Sequence, residues 1–165
     1  MPAESTYVPL AIQTLGADAG SVTFSSISSI YTDLVIMFTA RCTSTQTLYI
    51  RFNGDSATNY SSTNVRQASS TASSRQTSID RGLLGIVSVG LSSTENVFTE
   101  IHINNYSNAS TFKVLSSRSS LTSSETDANI TLWRNTSPIT SITILPSAGN
   151  FITGSKFTLF GIKAA

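Results

Sequence analysis

The ten residues Glu95-Asn96-Val97-Phe98-Thr99-Glu100-Ile101-His102-Ile103-Asn104 alternate almost without a break. Val97, Thr99, Ile101 and Ile103 point one way, and Phe98, Glu100, His102 and Asn104 the other, the period-two pattern of a strand buried on one face. Working outward, the same pattern returns at short intervals. Asp33–Arg41 puts Leu34, Ile36, Phe38 and Ala40 together, and Leu48–Phe52 sets Leu48, Ile50 and Phe52 against Tyr49 and Arg51. That second run meets Asn53-Gly54, a pair that takes up the positive φ angles of a tight hairpin turn. Further runs lie at Val8–Ile12, Ser21–Phe24, Leu83–Val89, Phe112–Leu115, Asn129–Trp133, Ile139–Leu145 and Lys156–Ile162. About ten short strands at this spacing, with Ser/Thr/Asn/Gly turns between them, predict an all-β antiparallel sandwich.

Composition points the same way. The chain holds 30 Ser and 23 Thr in 165 residues, and Thr, Val and Ile together make 46 β-branched positions. Such residues suit a pleated surface and lose side-chain freedom inside helices. No segment keeps a helical period over three turns, and no apolar run approaches the ~18 residues of a membrane span. Charged residues are only 12% and the net charge is +1, with signs interleaved along the chain. No basic stripe exists to follow a phosphate backbone, so nucleic-acid binding finds no support. The five bases of the first half are all Arg, a residue suited to fixed bidentate pairs.

Two stretches break the alternation. Gln67–Gln76 (QASSTASSRQ) holds no apolar residue larger than Ala, and reads as an exposed loop or as a segment ordered only against a partner. Ser116–Asp127 is similar, with Leu121 as its one anchor. Neither resembles a linker, so the expected organisation is an extended N-terminal arm, 1–7, and one sandwich domain, 8–165. The opening Met1–Thr6 has neither a basic nor an apolar segment of a secretory signal. Without one, the five Asn-x-Ser/Thr sequons read as coincidences of a hydroxyl-rich chain.

Chemistry needs convergent groups, and few are present. His102 is the only histidine and Cys42 the only cysteine, so His/Cys metal sites of ordinary spacing and internal disulfides are excluded. A Ser-His-Asp triad would need His102, yet the nearest string to a nucleophile elbow, Gly85–Gly90, carries one residue too many before Ser88. Glu100 and His102 share a strand face about 7 Å apart, the ordinary arrangement of a solvated surface. No pair of acids marks a cleft for glycoside hydrolysis, and Asn53-Gly54-Asp55 and Asp127 fall short of an acid-rich calcium loop. The expectation is no enzyme, no metal and no cofactor. Carbohydrate stacking is the remaining small-ligand chemistry, with Trp133, Tyr49 and Tyr60 as weak candidates. Trp133 has three placements open to it: outward against a sugar, outward against a neighbouring subunit, or buried at the sandwich edge, the usual lot of a Trp.

Several strings taken together carry a resemblance. They are Tyr7–Gly16, Ser21–Ile27 and Tyr31–Val35, then Arg51–Asp55 with Asn59-Tyr60-Ser61, Leu132–Thr136 and Ile139–Thr143. The close is Gly149-Asn150-Phe151, Gly154-Ser155 and Phe157–Ala165. Over nearly the whole chain this resembles a family of short virion structural proteins of tailed bacteriophages. Ser28-Ser29 departs from the turn containing Pro expected there, and Phe160 stands where Tyr is common. The resemblance implies a jelly-roll-like sandwich, made in the bacterial host cytoplasm and assembled on the virion surface as a homo-oligomer, a trimer first of all. Its implied partners are the major capsid protein or tail proteins, with no nucleic acid and no membrane insertion. The implied role is capsid decoration or cementing, with a tail- or fibre-associated module for host glycans as the alternative.

Overall fold

The computed structural model describes residues 6–44, 46–67, 70–86, 95–121 and 125–163. Twelve strands form two antiparallel sheets, and no helix occurs among the described residues. The strands are β1 (Tyr7–Thr14), β2 (Val22–Phe24), β3 (Asp33–Ala40), β4 (Thr47–Phe52), β5 (Tyr60–Gln67) and β6 (Thr71–Ile79). They continue with β7 (Gly82–Ile86), β8 (Val97–Asn104), β9 (Lys113–Leu121), β10 (Thr126–Trp133), β11 (Ile142–Pro146) and β12 (Lys156–Ile162). The large sheet runs β1-β12-β3-β8-β9-β10-β5-β6, and the small one β2-β11-β4-β7.

Four pairings explain this order. β1 pairs with β12, β2 with β11, β3 with β8 and β4 with β7. These eight strands are one long hairpin rolled into two four-stranded sheets, β1-β12-β3-β8 over β2-β11-β4-β7, which is the jelly roll. The other four strands are two hairpins inserted into it, β5–β6 after β4 and β9–β10 after β8. They attach beside β8 as β9-β10-β5-β6 and double the width of one sheet. We call the eight rolled strands the body and the four added ones the annex.

The core lies between the sheets of the body. Leu34, Ile36 and Phe38 of β3 face Leu48, Ile50 and Phe52 of β4 and Ile142 and Ile144 of β11, all within one buried cluster. Phe38 stacks on Phe157 with centroids 4.9 Å apart, and Phe151 meets Phe157 edge-on at 5.1 Å. Cys42 is buried in the same cluster, where loss of hydration pushes its thiol up to about 12. Gly161 is required by a close approach: a methyl there would sit 2.5 Å from the Tyr31 ring.

Several expectations need correction. Asn53 and Gly54 do take positive φ, at 53° and 69°, and Asp55 N–H closes the turn on Phe52 C=O. The turn forms no hairpin, because it carries the chain from β4 in the small sheet to β5 in the large one. Most of Gln67–Gln76 is strand: Gln67 ends β5 and Thr71–Gln76 belong to β6, while residues 68 and 69 lie outside those described. Ser116–Asp127 likewise continues β9 as far as Leu121 and begins β10 at Thr126. Both were hidden because polar strands lack the apolar alternation used to find strands. β1 already includes Tyr7, paired with Ile162, so the sandwich takes in Tyr7 rather than beginning at 8, and residues 1–5 of the expected arm lie outside those described. The end of the expected Leu83–Val89 strand does too.

Candidate functional site

The annex is folded with its polar residues inside. One row across the large sheet reads Leu159, Ile36 and Ile101 in the body, then Ser117, Asn129, Asn64 and Ser74 in the annex. Ser62, Asn64, Ser117, Asn129 and Thr131 are each no more than 2% exposed. Burying such groups is costly unless each is hydrogen-bonded. Here the partner is the backbone of β7, the edge strand of the small sheet. Leu83 N–H donates to Ser62 Oγ at 3.0 Å, and Thr131 Oγ1 donates to Leu83 C=O at 2.9 Å. Ser62 and Thr131 also join to each other at 2.7 Å, closing a ring. Ser117 Oγ and Asn129 Nδ2 both donate to Leu84 C=O, at 2.9 and 2.8 Å, and Asn64 Nδ2 reaches Asn129 Oδ1 at 2.9 Å.

Local sequence makes this clamp possible. A register shift between Leu48 and Tyr49 leaves Leu84 without an opposite residue on β4, a bulge that turns consecutive carbonyls toward the annex. Gly82 lets the strands close up, since a methyl there would stand 2.6 Å from Thr131 Cγ2.

A second joint holds annex to body. Trp133, at the end of β10, lies 5.4 Å from Phe52 and 6.3 Å from Tyr60 by ring centroids. Its Nε1–H donates to Asp55 Oδ2 at 2.7 Å, and Asn59 Nδ2 and Ala57 N–H donate to the same carboxylate at 2.9 Å each. Partial burial works to raise the Asp55 carboxyl, but these hydrogen bonds outweigh it and hold the group below its ordinary value. Tyr60 OH accepts from Phe52 N–H at 2.9 Å, and burial pushes its hydroxyl well up. Arg134 continues the corner, donating from Nη2 to Thr58 C=O at 2.9 Å and from Nη1 to Ser61 Oγ.

The sugar-stacking candidates therefore do not converge. Trp133 and Tyr60 are 1% and 0% exposed, and both belong to this corner. The alternation that set Trp133 opposite Ile130 and Leu132 holds, with the sides exchanged: Trp133 points in and Ile130 out. Tyr49 lies on the outer side of the small sheet under the Arg81 guanidinium, 4.8 Å from its centroid. Arg81 and Arg51 are both held by Asp80, whose carboxyl they keep below its ordinary value against the upward push of burial. The Arg-rich first half thus makes pairs within the chain. Arg66 pairs with Glu125 at 2.8 Å, whereas Arg75 stands exposed on β6.

The outer face of the large sheet is the surface that composition did not disclose. Of the eight exposed large apolar side chains among the described residues, six lie on it: Tyr7 and Ile12 on β1, Phe98 on β8, Val114 on β9, Ile130 on β10 and Val65 on β5. Ile130 is 53% exposed and Val65 51%, while Asn129 and Asn64 beside them are buried. Glu100 and His102 share this face as expected, but each has another partner. Arg118 Nη2 donates to both Glu100 oxygens at 2.9 Å, and His102 Nε2 is 3.6 Å from Asp33 Oδ2. Between Phe98 and Val65 the face dips into an open groove of about 640 Å³, with Glu100, Arg118 and Ala128 among its walls. A signal was present in the sequence, since Ile130 lies between Asn129 and Thr131 and Val65 between Asn64 and Arg66. The alternation gives the period of a strand but not which of its sides is covered.

No group of three or more His, Cys, Asp or Glu side chains placed to hold a metal occurs among the described residues. No protein-family model, no curated protein and no solved structure matches the chain.

Proposed function

We propose that this chain is a bacteriophage virion structural protein, a capsid decoration or cement protein that seats on the particle through the outer face of its large sheet. The observation that carries the reading is the reversed polarity of the annex, with hydroxyls and amides inside and Ile130, Val65 and Val114 outside. Apolar surface left exposed on one broad face is the mark of a protein that completes its burial against another. Eight strands of about eight residues give that face roughly 34 Å by 26 Å, close to the ~800 Å² per partner of a standard interface. Low charge lowers the cost of covering it, because few ions must lose water. The resemblance to short phage virion proteins supplies the particle, and a homotrimer is the assembly it implies.

Quantitative mass spectrometry of purified virions tests this. Copies in the hundreds, comparable with the major capsid protein, would support decoration; complete absence from the particle would refute the reading. Val65→Thr with Ile130→Thr is expected to lower occupancy while leaving the fold intact. Removing Met1–Thr6 is expected to weaken attachment through loss of the arm, and unchanged occupancy would exclude a role for it.

A second reading has one observation in its favour. The groove beside Phe98 combines an exposed aromatic ring with the Glu100 carboxylate and Arg118 guanidinium, groups that suit a sugar. On that reading the chain is a tail- or fibre-associated module for host glycans, present in a few copies to a few dozen. Saturable glycan binding by the free protein, lost in Phe98→Ala, would favour it over decoration.

A further inference from the structure

A sheet edge is a row of unpaired N–H and C=O groups, and proteins ordinarily blunt such rows. Among the described residues this fold has four edges. β1 carries Pro9 and a bulge between Pro9 and Ala11. β2 is only three residues long. The edge of β7 is taken up by Ser62, Ser117, Asn129 and Thr131. β6 has none of these devices. Its nine residues hold no Pro, no Lys and a single charge, and its only register shift lies at the Tyr60/Ser61 end. Every residue from Thr71 to Ser78 is exposed, so both of its side-chain faces are open.

We propose that this edge is a joining strand, pairing antiparallel with β6 of a second copy and continuing the large sheet across a two-fold axis. A two-fold axis sets Thr71–Ile79 against itself, so Ser, Thr and Gln stand opposite one another, pairs that hydrogen-bond across strands. Only the register centred on Arg75 would bring two guanidiniums directly opposite; a centre at Ser73 or Ser74 puts Arg75 across from Thr71 or Ser73. The net charge of +1 sets up no repulsion between copies. A foreign peptide could add to the same edge, but nothing on β6 selects a side chain other than its own kind. The pairing stands apart from the role of the outer face, which it would extend from one copy into the next, and its two-fold contact uses the β6 edge and no surface assigned to a trimer. Edge pairing buries little apolar surface, so the association is weak alone and strengthened wherever copies are crowded.

Sedimentation equilibrium of the full chain from micromolar to millimolar protein, with hydrogen exchange across β6, tests it. The wild type should dimerise reversibly, with slowed exchange confined to β6. Ser74→Lys with Gln76→Lys should weaken the dimer about tenfold through like charges facing across the axis. Ser74→Glu with Gln76→Glu should do the same, and mixing the two variants should restore association. Matching melting temperatures would show that all forms are folded, as these positions are exposed. A wild type that stays monomeric, a Lys variant that associates as the wild type does, or a mixture no tighter than either variant alone would overturn the proposal.

Discussion

Body and annex share one sheet and solve the problem of burial in opposite ways. In the body, Leu159, Ile36 and Ile101 lie under the small sheet and are at most 2% exposed. Two and three strands beyond β8 on the same row, Asn129 and Asn64 are equally buried, yet they face one strand, β7, and bond to its peptide groups or to each other. Geometry explains the division. At ~4.8 Å per strand the large sheet spans roughly 34 Å and the small one roughly 14 Å, so an apolar lining cannot be covered along its whole length. Beyond β8 the middle of the inner face turns polar, with Leu115, Leu121, Tyr60 and Trp133 the apolar residues still buried, and Val65, Val114 and Ile130 stand on the other face. A jelly roll is complete without the annex; the annex is complete only against β7 within the chain and, on our reading, against a partner outside it.

The largest effect should come from the joint between the two regions. Trp133→Ala removes the ring packed on Phe52 and Tyr60 and is expected to destabilise by about 3–5 kcal/mol. Thermal melting should fall by roughly 10 °C, and a change of a degree or two would mean that the β8–β9 ladder and the clamp, not this corner, hold annex and body together. Next comes the clamp. Thr131→Val leaves Leu83 C=O and Ser62 without their hydroxyl partner at constant shape, at an expected cost of about 1–3 kcal/mol. A neutral result in urea unfolding would show that packing, and not the polar ring, holds β7 on the annex.

Asp55 gives the same comparison a pH dependence. Its folded value is lowered, so the stability it contributes is full above the ordinary carboxylate value of about 3.9 and is lost as pH falls through the folded value. Asp55→Asn should therefore melt below the wild type at neutral pH, with the gap closing in acid. A gap independent of pH would assign the loss to altered packing at Trp133. Smallest of all, Val65→Thr with Ile130→Thr on the outer face, and His102→Ala beside them, should change the stability of the free chain by no more than about 0.5 kcal/mol. A larger loss would mean that this face packs against something within the chain.

The division also explains what the sequence discloses. The body is legible because its strands obey apolar alternation: β8 is read residue by residue, and Leu48, Ile50 and Phe52 of β4 are buried as that pattern implies. In the annex the rule runs backwards. β5 and β6 carry no apolar stripe to find, and β10 keeps its period while exchanging its sides, because Asp127, Asn129 and Thr131 are the buried set. Trp133 and Tyr60 look like ligand platforms in isolation. Their role is fixed by Asp55, which no local spacing ties to Trp133, since the two are 78 residues apart.

On this reading the annex, joined to the body by the β8–β9 ladder, a polar clamp and one aromatic corner, opens apart from it. Native-state hydrogen exchange of the free chain in low denaturant tests it most directly. Amides of β3, β8 and β12 should exchange only through global unfolding, while those of the β5–β6 hairpin should exchange through an opening of clearly lower free energy. A single free energy shared by all of these strands would contradict the account, because annex and body would then unfold as one.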